Sequence, residues 1–265
     1  MIDIQWKGKI GYGDIVSPIC YAHNLSNKLQ VPVNLTFRWD KGFEHKIHPR
    51  DPETLWERAA FIEKQCYKGN TNVTVFHRFF NPLNINHSNY DWSIVGKDSL
   101  HNYWFPRRAN RSSSNVVVVN STEENVVSLK EYGRAWKDPA APYWGQIVER
   151  LKSNGFDVVT VDYRTPVAEL IKVLETARGF VGYHGTAAWP AKFMHVPSLL
   201  FADGGSLTSG SFCYAAIVND ATRWQSVIDN VEMYFDASRE RIEFTRTRYK
   251  TYMPSKQFLG HLNHG

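Results

Sequence analysis

Cysteine is scarce: Cys20, Cys66 and Cys213 are odd in number, far apart and free of any CxxC or metal-type spacing. That excludes a disulfide framework and a cysteine-based zinc site, and points to a reducing compartment. No apolar run approaches the ~20 residues that a membrane span needs. The start of the chain carries Asp3 and Lys7 and lacks the apolar core of a signal peptide. The expectation is a soluble, cytoplasmic protein, for which triplets such as Asn72-Val73-Thr74 are coincidental glycosylation signals. Several motifs are missing as well. There is no GxxxxGK[ST], and Gly11-Tyr12-Gly13 begins a GxGxxG that fails at Val16. Gly205–Gly210 has the wrong spacing for a GxSxG elbow. His45 and His48 lie in a proline-rich loop with no matching carboxylate pair. No DxD triplet occurs. Kinase, dinucleotide dehydrogenase, serine hydrolase and histidine-metal readings lose their support.

Aromatic residues and positive charge are plentiful. Aromatics make up 14% of 265 residues, including nine Trp, in a chain that is otherwise ordinary at 43% hydrophobic and 22% charged. Surplus rings are mostly core, with stacking on sugars or bases as the second use. The net charge of +5 is unevenly spread. From Arg239 to the end, six cations face Glu240 and Glu243, which leaves +4. Other basic clusters are Arg107, Arg108 and Arg111, and the stretch from Arg38 to Arg50. Such patches suit a polyanion or form a solvated basic face.

The pattern predicts a strand over 2–6, a helix over 15–30 and a strand over 31–37, a β-turn-α-β opening. A helix over 53–68 and a strand over 73–76 follow. Residues 81–111 have little periodicity, and the polar run 110–115 reads as a linker. Beyond it the text is regular. Val116–Val119 has the continuous apolar character of a parallel strand buried on both faces. A helix over 141–154 stops at Gly155, a strand covers 156–161 and a helix over 167–178 ends at Gly179. A strand covers 180–183, a short helix 186–194 and a strand 198–201. Strands alternating with helices at this spacing imply an α/β fold with a doubly wound parallel sheet. Two Rossmann-like domains facing a cleft are expected, over 1–111 and 112–230, with a basic segment 231–265 crossing back onto the first.

Chemistry-bearing residues gather at strand ends, where open α/β sheets hold their ligands. Gly11, Tyr12, Gly13 and Asp14 follow the first strand, and the helix after them points N–H groups at a candidate anion. Asp14 is either the cap of that helix or a reactive base, and one carboxylate can serve both roles. Asn120 and Ser121 end the Val116–Val119 strand. His184, Gly185 and Thr186 follow residues 180–183, and Asp203-Gly204-Gly205 follow 198–201. Each group is a helix cap or turn taken alone. Together, with Arg134 or Lys137, they suit a nucleotide.

Gly13-Asp14 followed by Pro18 resembles the N-terminal motif of heptosyltransferase-type glycosyltransferases of the GT-B class. The segments 134–151, 182–188 and 195–201 resemble that family's nucleotide-sugar region. The resemblance covers about half of the chain, and His184-Gly185-Thr186 departs from the family's usual order. It implies a GT-B fold, a nucleotide-sugar donor and Asp14 as the catalytic base; a UDP-sugar is the first expectation for the donor, and the missing DxD triplet favours transfer without a metal. The donor would be held by Gly11, Tyr12, Gly13, Asn120, Ser121, Arg134, Lys137, His184, Gly185 and Thr186.

For the acceptor, the interleaved cations and aromatics of 246–252 point to double-stranded DNA, contacted through Arg246, Arg248 and Lys250 together with Arg107, Arg108 and Arg111. Trp104-Phe105 beside the arginines would act as a wedge. Short enzymes of this type glycosylate 5-hydroxymethylcytosine in phage DNA, and the chain looks similar to them. It would act as a monomer in the host cytoplasm. A saccharide or lipid acceptor in surface-polysaccharide assembly, or a non-catalytic nucleotide- or nucleic-acid-binding module, are the alternatives.

Overall fold

A computed structural model describes residues 1–7, 29–38, 73–77, 114–120, 138–162, 165–183, 185, 187–202 and 214–252, together with Ile19, Ala22, His23, Leu25 and Ser26. The chain divides into two compact units: Met1–Tyr103 with Met253–Gly265, and Trp104–Tyr252.

In the first unit, β1 (Ile2–Lys7), β2 (Val33–Arg38) and β3 (Val73–His77) form a parallel sheet in the order β1-β2-β3. The alternation that buries Ile4, Val33 and Leu35 is the two-residue period of a strand packed on one side. Ile19, Ala22, His23, Leu25, Ser26 and Leu29 are helical, and all but Leu29 are buried, so the strand–helix–strand order of the opening is present, while the predicted turn lies outside the described residues. The helix ends where Gln30 takes φ +54 and Ser26 Oγ donates to the Val31 carbonyl at 2.8 Å. Pairing then begins at Ile2 with Val33, two residues later than the pattern predicts, as Ile2 N donates to Pro32 O. The predicted helix over 53–68 lies outside the described residues.

The second unit carries five parallel strands: β4 (Val116–Asn120), β5 (Asp157–Val161), β6 (Gly179–Tyr183), β7 (Ser198–Phe201) and β8 (Ala216–Val218). Their order is β5-β4-β6-β7-β8, the 2-1-3-4-5 sequence of one doubly wound class. The expected mixed α/β architecture with a parallel sheet is therefore present. β4, β6 and β7 are buried nearly throughout, as the unbroken apolar runs demand.

One face packs through Val117, Val119, Val181, Leu199 and Phe201 against α1 (Trp144–Ser153), α4 (Trp224–Asp229) and the start of α5 (Val231–Tyr252). In α1 the buried residues are Trp144, Ile147 and Leu151, a three-then-four spacing along one face. α2 (Val167–Thr176) lies against β4, and α3 (Ala188–Phe193) against β6. Arg150 on α1 makes a two-pronged ion pair with Asp229 on α4, at 2.6 and 2.9 Å. This pair lowers the Asp229 carboxyl and raises the Arg150 guanidinium.

Two predicted glycine terminators part ways. Gly155 has φ +88 with open space around it and follows Asn154, the last cap of α1. Gly179 does not end α2. The chain leaves that helix at Ala177, and Gly179 opens β6 because Phe235 of α5 fills the space beside it. A Cβ at Gly179 would stand 2.2 Å from the Phe235 ring. The helix expected over 186–194 is shorter, at Ala188–Phe193.

Gly179→Ala is expected to destabilise the second unit by about 1–3 kcal/mol through overpacking. In urea denaturation, adding Phe235→Leu to that variant should recover part of the loss. Simple additivity of the two costs would show that the two sites do not compete for one space. A second expectation concerns the turn after β8, where Asp220 caps residues 221–223 by accepting from Thr222 N and Oγ1 at 3.0 and 2.5 Å. Those bonds hold its carboxyl below the ordinary 3.8. A carboxyl lowered on folding stabilises above the unfolded value, and the gain is lost as pH falls through the folded one. The melting-temperature gap between wild type and Asp220→Ala should be constant near neutrality and should close as pH falls below about 4.

Candidate active site

In the second unit β4 lies between the next two strands of the chain, so the first two crossovers run in opposite directions across the sheet. The first runs from β4 through α1 to β5 on one side, and the second runs from β5 through α2 to β6 on the other. The carboxyl ends of β4 and β6 thus flank the topological switch point, where an open α/β sheet parts its loops and admits a ligand.

Asn120 is the last residue of β4 and is buried, 3% exposed. It lies beside Gly182 of β6, where a Cβ would meet Asn120 Cβ at 3.1 Å and the Phe180 ring at 2.7 Å. Glycine at 182 is thus what lets the polar end of β4 stay close to β6. Beyond Tyr183 the chain turns sharply: Gly185 N donates to Tyr183 O at 2.7 Å, and Ala188 N donates to Gly185 O at 3.2 Å. A Cβ at Gly185 would meet the Tyr183 ring at 2.8 Å, so the turn is folded onto that ring. Tyr214 Oη fixes the start of α3 by donating to the Ala188 carbonyl at 2.8 Å.

α1 also starts on the carboxyl side of the sheet, since it links the end of β4 to the start of β5. Its first residue, Trp144, meets Phe201 at the end of β7 edge-on, with centroids 5.9 Å apart. The Trp144 indole donates to Asp138 Oδ2 at 2.8 Å, and Asp138 is 2% exposed. Tyr143 stacks on Trp224 at 6.2 Å, so two helix starts meet through aromatic rings there. Lys192 is a buried cation on α3, 5.2 Å from the Trp189 ring centroid. It sits in the last turn of its helix.

Of the residues singled out from sequence, Asn120 and Gly185 stand at the two strand ends that flank the switch point. Gly11, Tyr12, Gly13, Asp14, Ser121, Arg134, Lys137, His184 and Thr186 lie outside the described residues, as do Arg107, Arg108 and Arg111. Arg246, Arg248 and Lys250 fall on α5, of which the backbone is described at these positions. Gly182 and Trp144 lie in the segments quoted for the resemblance, but neither the packing of Gly182 on Asn120 nor the Asp138–Trp144 bond was read from the sequence. Gly182 looks like any strand residue, and nothing local to Asp138 records an indole donor six residues on. Among the described residues no group of three or more His, Cys, Asp or Glu could hold a metal ion, and no helix is long and apolar enough to cross a membrane.

Trp144→Phe removes the indole donor from a buried carboxylate and is expected to cost about 1–3 kcal/mol by urea denaturation. Asp138→Asn retains an acceptor oxygen and should cost less. Equal losses would show that packing, not the hydrogen bond, sets the Trp144 contribution.

No protein-family model matches the chain, and no curated protein matches it. Among solved structures it is similar to the iron-containing dodecameric glycosyltransferase TibC of enterotoxigenic E. coli H10407, at 14% identity and a TM-score of 0.44, covering 96% of this chain and 76% of that one. It is also similar to the dodecameric iron-containing heptosyltransferase TibC in complex with ADP-D-beta-D-heptose, at 13% identity and a TM-score of 0.44, covering 96% of this chain and 77% of that one.

Proposed function

We propose that the chain is a glycosyltransferase that moves a sugar from a nucleotide-sugar donor to a hydroxyl acceptor, with Asp14 as the base. The observation that carries this reading is the 2-1-3-4-5 sheet with Asn120 and Gly185 at its switch point. That is where such a sheet takes a nucleotide. Asn120 was singled out as a polar strand-end residue, and Gly185 lies in a glycosyltransferase-like segment of the sequence.

The chemistry asks for few parts. The acceptor hydroxyl attacks the anomeric carbon, its proton passes to Asp14, and the bond from that carbon to the diphosphate breaks. One displacement inverts the centre. A positioned base contributes about 10²–10⁴-fold, and the rest must come from orientation and from stabilising the departing diphosphate. In this proposal Gly11, Tyr12 and Gly13 admit the donor closely. Ser121, His184 and Thr186 join Asn120 and Gly185 around the nucleotide, and Arg134 and Lys137 meet its phosphates. UDP is the first donor to test. Transfer proceeds without a metal, in keeping with the missing DxD triplet. The acceptor proposed from the sequence is 5-hydroxymethylcytosine in phage DNA.

The test is incubation of purified protein with hydroxymethylcytosine-containing duplex, or with saccharide acceptors, and a panel of UDP- and ADP-sugars with and without EDTA. Nucleoside and glycan mass analysis gives the readout. A hexose- or heptose-sized shift on hydroxymethylcytosine is expected. A shift on a saccharide alone would replace the acceptor and keep the reaction class. Asp14→Asn should lower kcat by about 10²–10⁴-fold with donor affinity within about twofold. Undiminished turnover in that variant would end the assignment of Asp14.

A further inference from the structure

Helix α5 crosses the amino-terminal ends of three strands at a steady pace. Glu232 pairs with Arg178 just before β6, and Phe235 packs on Gly179 at its first residue. Ser238 is fully buried and accepts from Ser198 N at the start of β7 at 2.8 Å, while donating to Tyr214 O at 2.8 Å. Arg241 Nη1 then donates to Ala215 O, just before β8, at 2.7 Å. Residues 235, 238 and 241 serve β6, β7 and β8 in turn. Three residues advance a helix by about 4.5 Å, close to the ~4.8 Å between neighbouring strands. The helix is therefore geared to the sheet one strand per three residues.

Among the described residues β8 is the last strand of that order, and the gearing runs out at Arg241 and the buried Ile242. The helix continues to Tyr252, about 15 Å further. Its composition changes at the same place. Glu243 is the last acidic residue, and 244–265 contain Arg246, Arg248, Lys250 and Lys256 with no Asp or Glu. Along 244–252 the cations alternate with Thr245, Thr247 and Thr251 and with Phe244, Tyr249 and Tyr252. Arg246 and Lys250 are one turn apart on a common side, and Arg248 is about 160–200° round the axis from both.

We infer that residues 244–252 form a docking element for double-stranded DNA, a helix that runs past the sheet edge and lies in the major groove. The groove, about 12 Å wide, admits one α-helix, and the phosphate backbones lie along both of its sides. Basic residues placed at backbone positions on opposite sides of the helix axis, 246 and 250 against 248, match that arrangement. A helix lying on an anionic membrane instead needs one apolar face and one basic face, which the position of Arg248 breaks. The inference deepens the transferase reading by naming how its proposed acceptor is held, and binding is measured apart from transfer so that either can fail alone.

The full-length protein is titrated into a labelled 20-base-pair duplex between about 50 and 250 mM salt, with fluorescence anisotropy as the readout. Binding should weaken linearly on a log–log plot, with a slope of about −0.9 for each phosphate contact. The triple variant Arg246→Gln, Arg248→Gln, Lys250→Gln should bind at least about tenfold more weakly at low salt, with the slope shallower by about 2–3. Circular dichroism melting of the same samples checks folding. The double variant Arg246→Lys, Arg248→Lys keeps the charges and should keep the slope. Unchanged binding in the triple variant overturns the inference, and so does a wild type that ignores duplex at 50 mM salt. Tighter binding of single strands, or binding only to phosphatidylserine-containing vesicles, overturns it equally. Duplex binding without sugar transfer to any acceptor would sink the transferase reading and leave the docking element standing.

Discussion

The contact on which the second unit depends is that between Gly179 and Phe235. The ring occupies the volume of a side chain that β6 does without, so α5 seats directly on the start of the strand. That contact sets the height of the helix over the sheet, and close-packed interiors leave little slack for another setting. From it follow the Ser238 bonds to the starts of β7 and β8, and the Arg241 bond one step on. The helix thereby reads the spacing of the strands with its own rise. The amino-terminal ends of three strands are tied to one rigid rod.

The proposed chemistry belongs at the other ends. In a parallel sheet every loop that follows a strand emerges at the carboxyl side, and the switch between β4 and β6 separates two of them. Asn120 reaches that point as a buried polar group because Gly182 gives it room, and Gly185 turns tightly onto Tyr183 just past β6. Small residues here serve close approach of main chain, the same property that admits a phosphate. The proposal thus divides the labour, with anchoring at one end of the sheet and ligand chemistry at the other. The proposed DNA-docking stretch of α5 is an extension of the anchoring rod.

Legibility in the sequence tracked how local the cause was. Val116–Val119 announced a doubly buried strand, Gly155 a left-handed helix end, and Asn120 and Gly185 strand-end positions. Each rests on a few neighbouring residues. Gly179 was misread as a helix stop because its partner, Phe235, is 56 positions away and nothing near it records the contact. The gearing of α5 was invisible for the same reason: Ser238 and Arg241 read as ordinary polar residues until the strand starts stood beside them. Asp138 was passed over for the neighbouring Lys137, since burial and an indole donor six residues on are tertiary facts.

The sequence by itself determined the alternation of strands and helices, the parallel character of the second sheet and the residues at its strand ends. Hydrophobic period and turn chemistry act within a few residues and are written in order along the chain. Strand order, and with it the switch point, was decided only by tertiary structure. So was the choice of glycine for packing rather than for backbone freedom at Gly179. These depend on which distant segments share one volume, and close packing settles that for the whole unit at once.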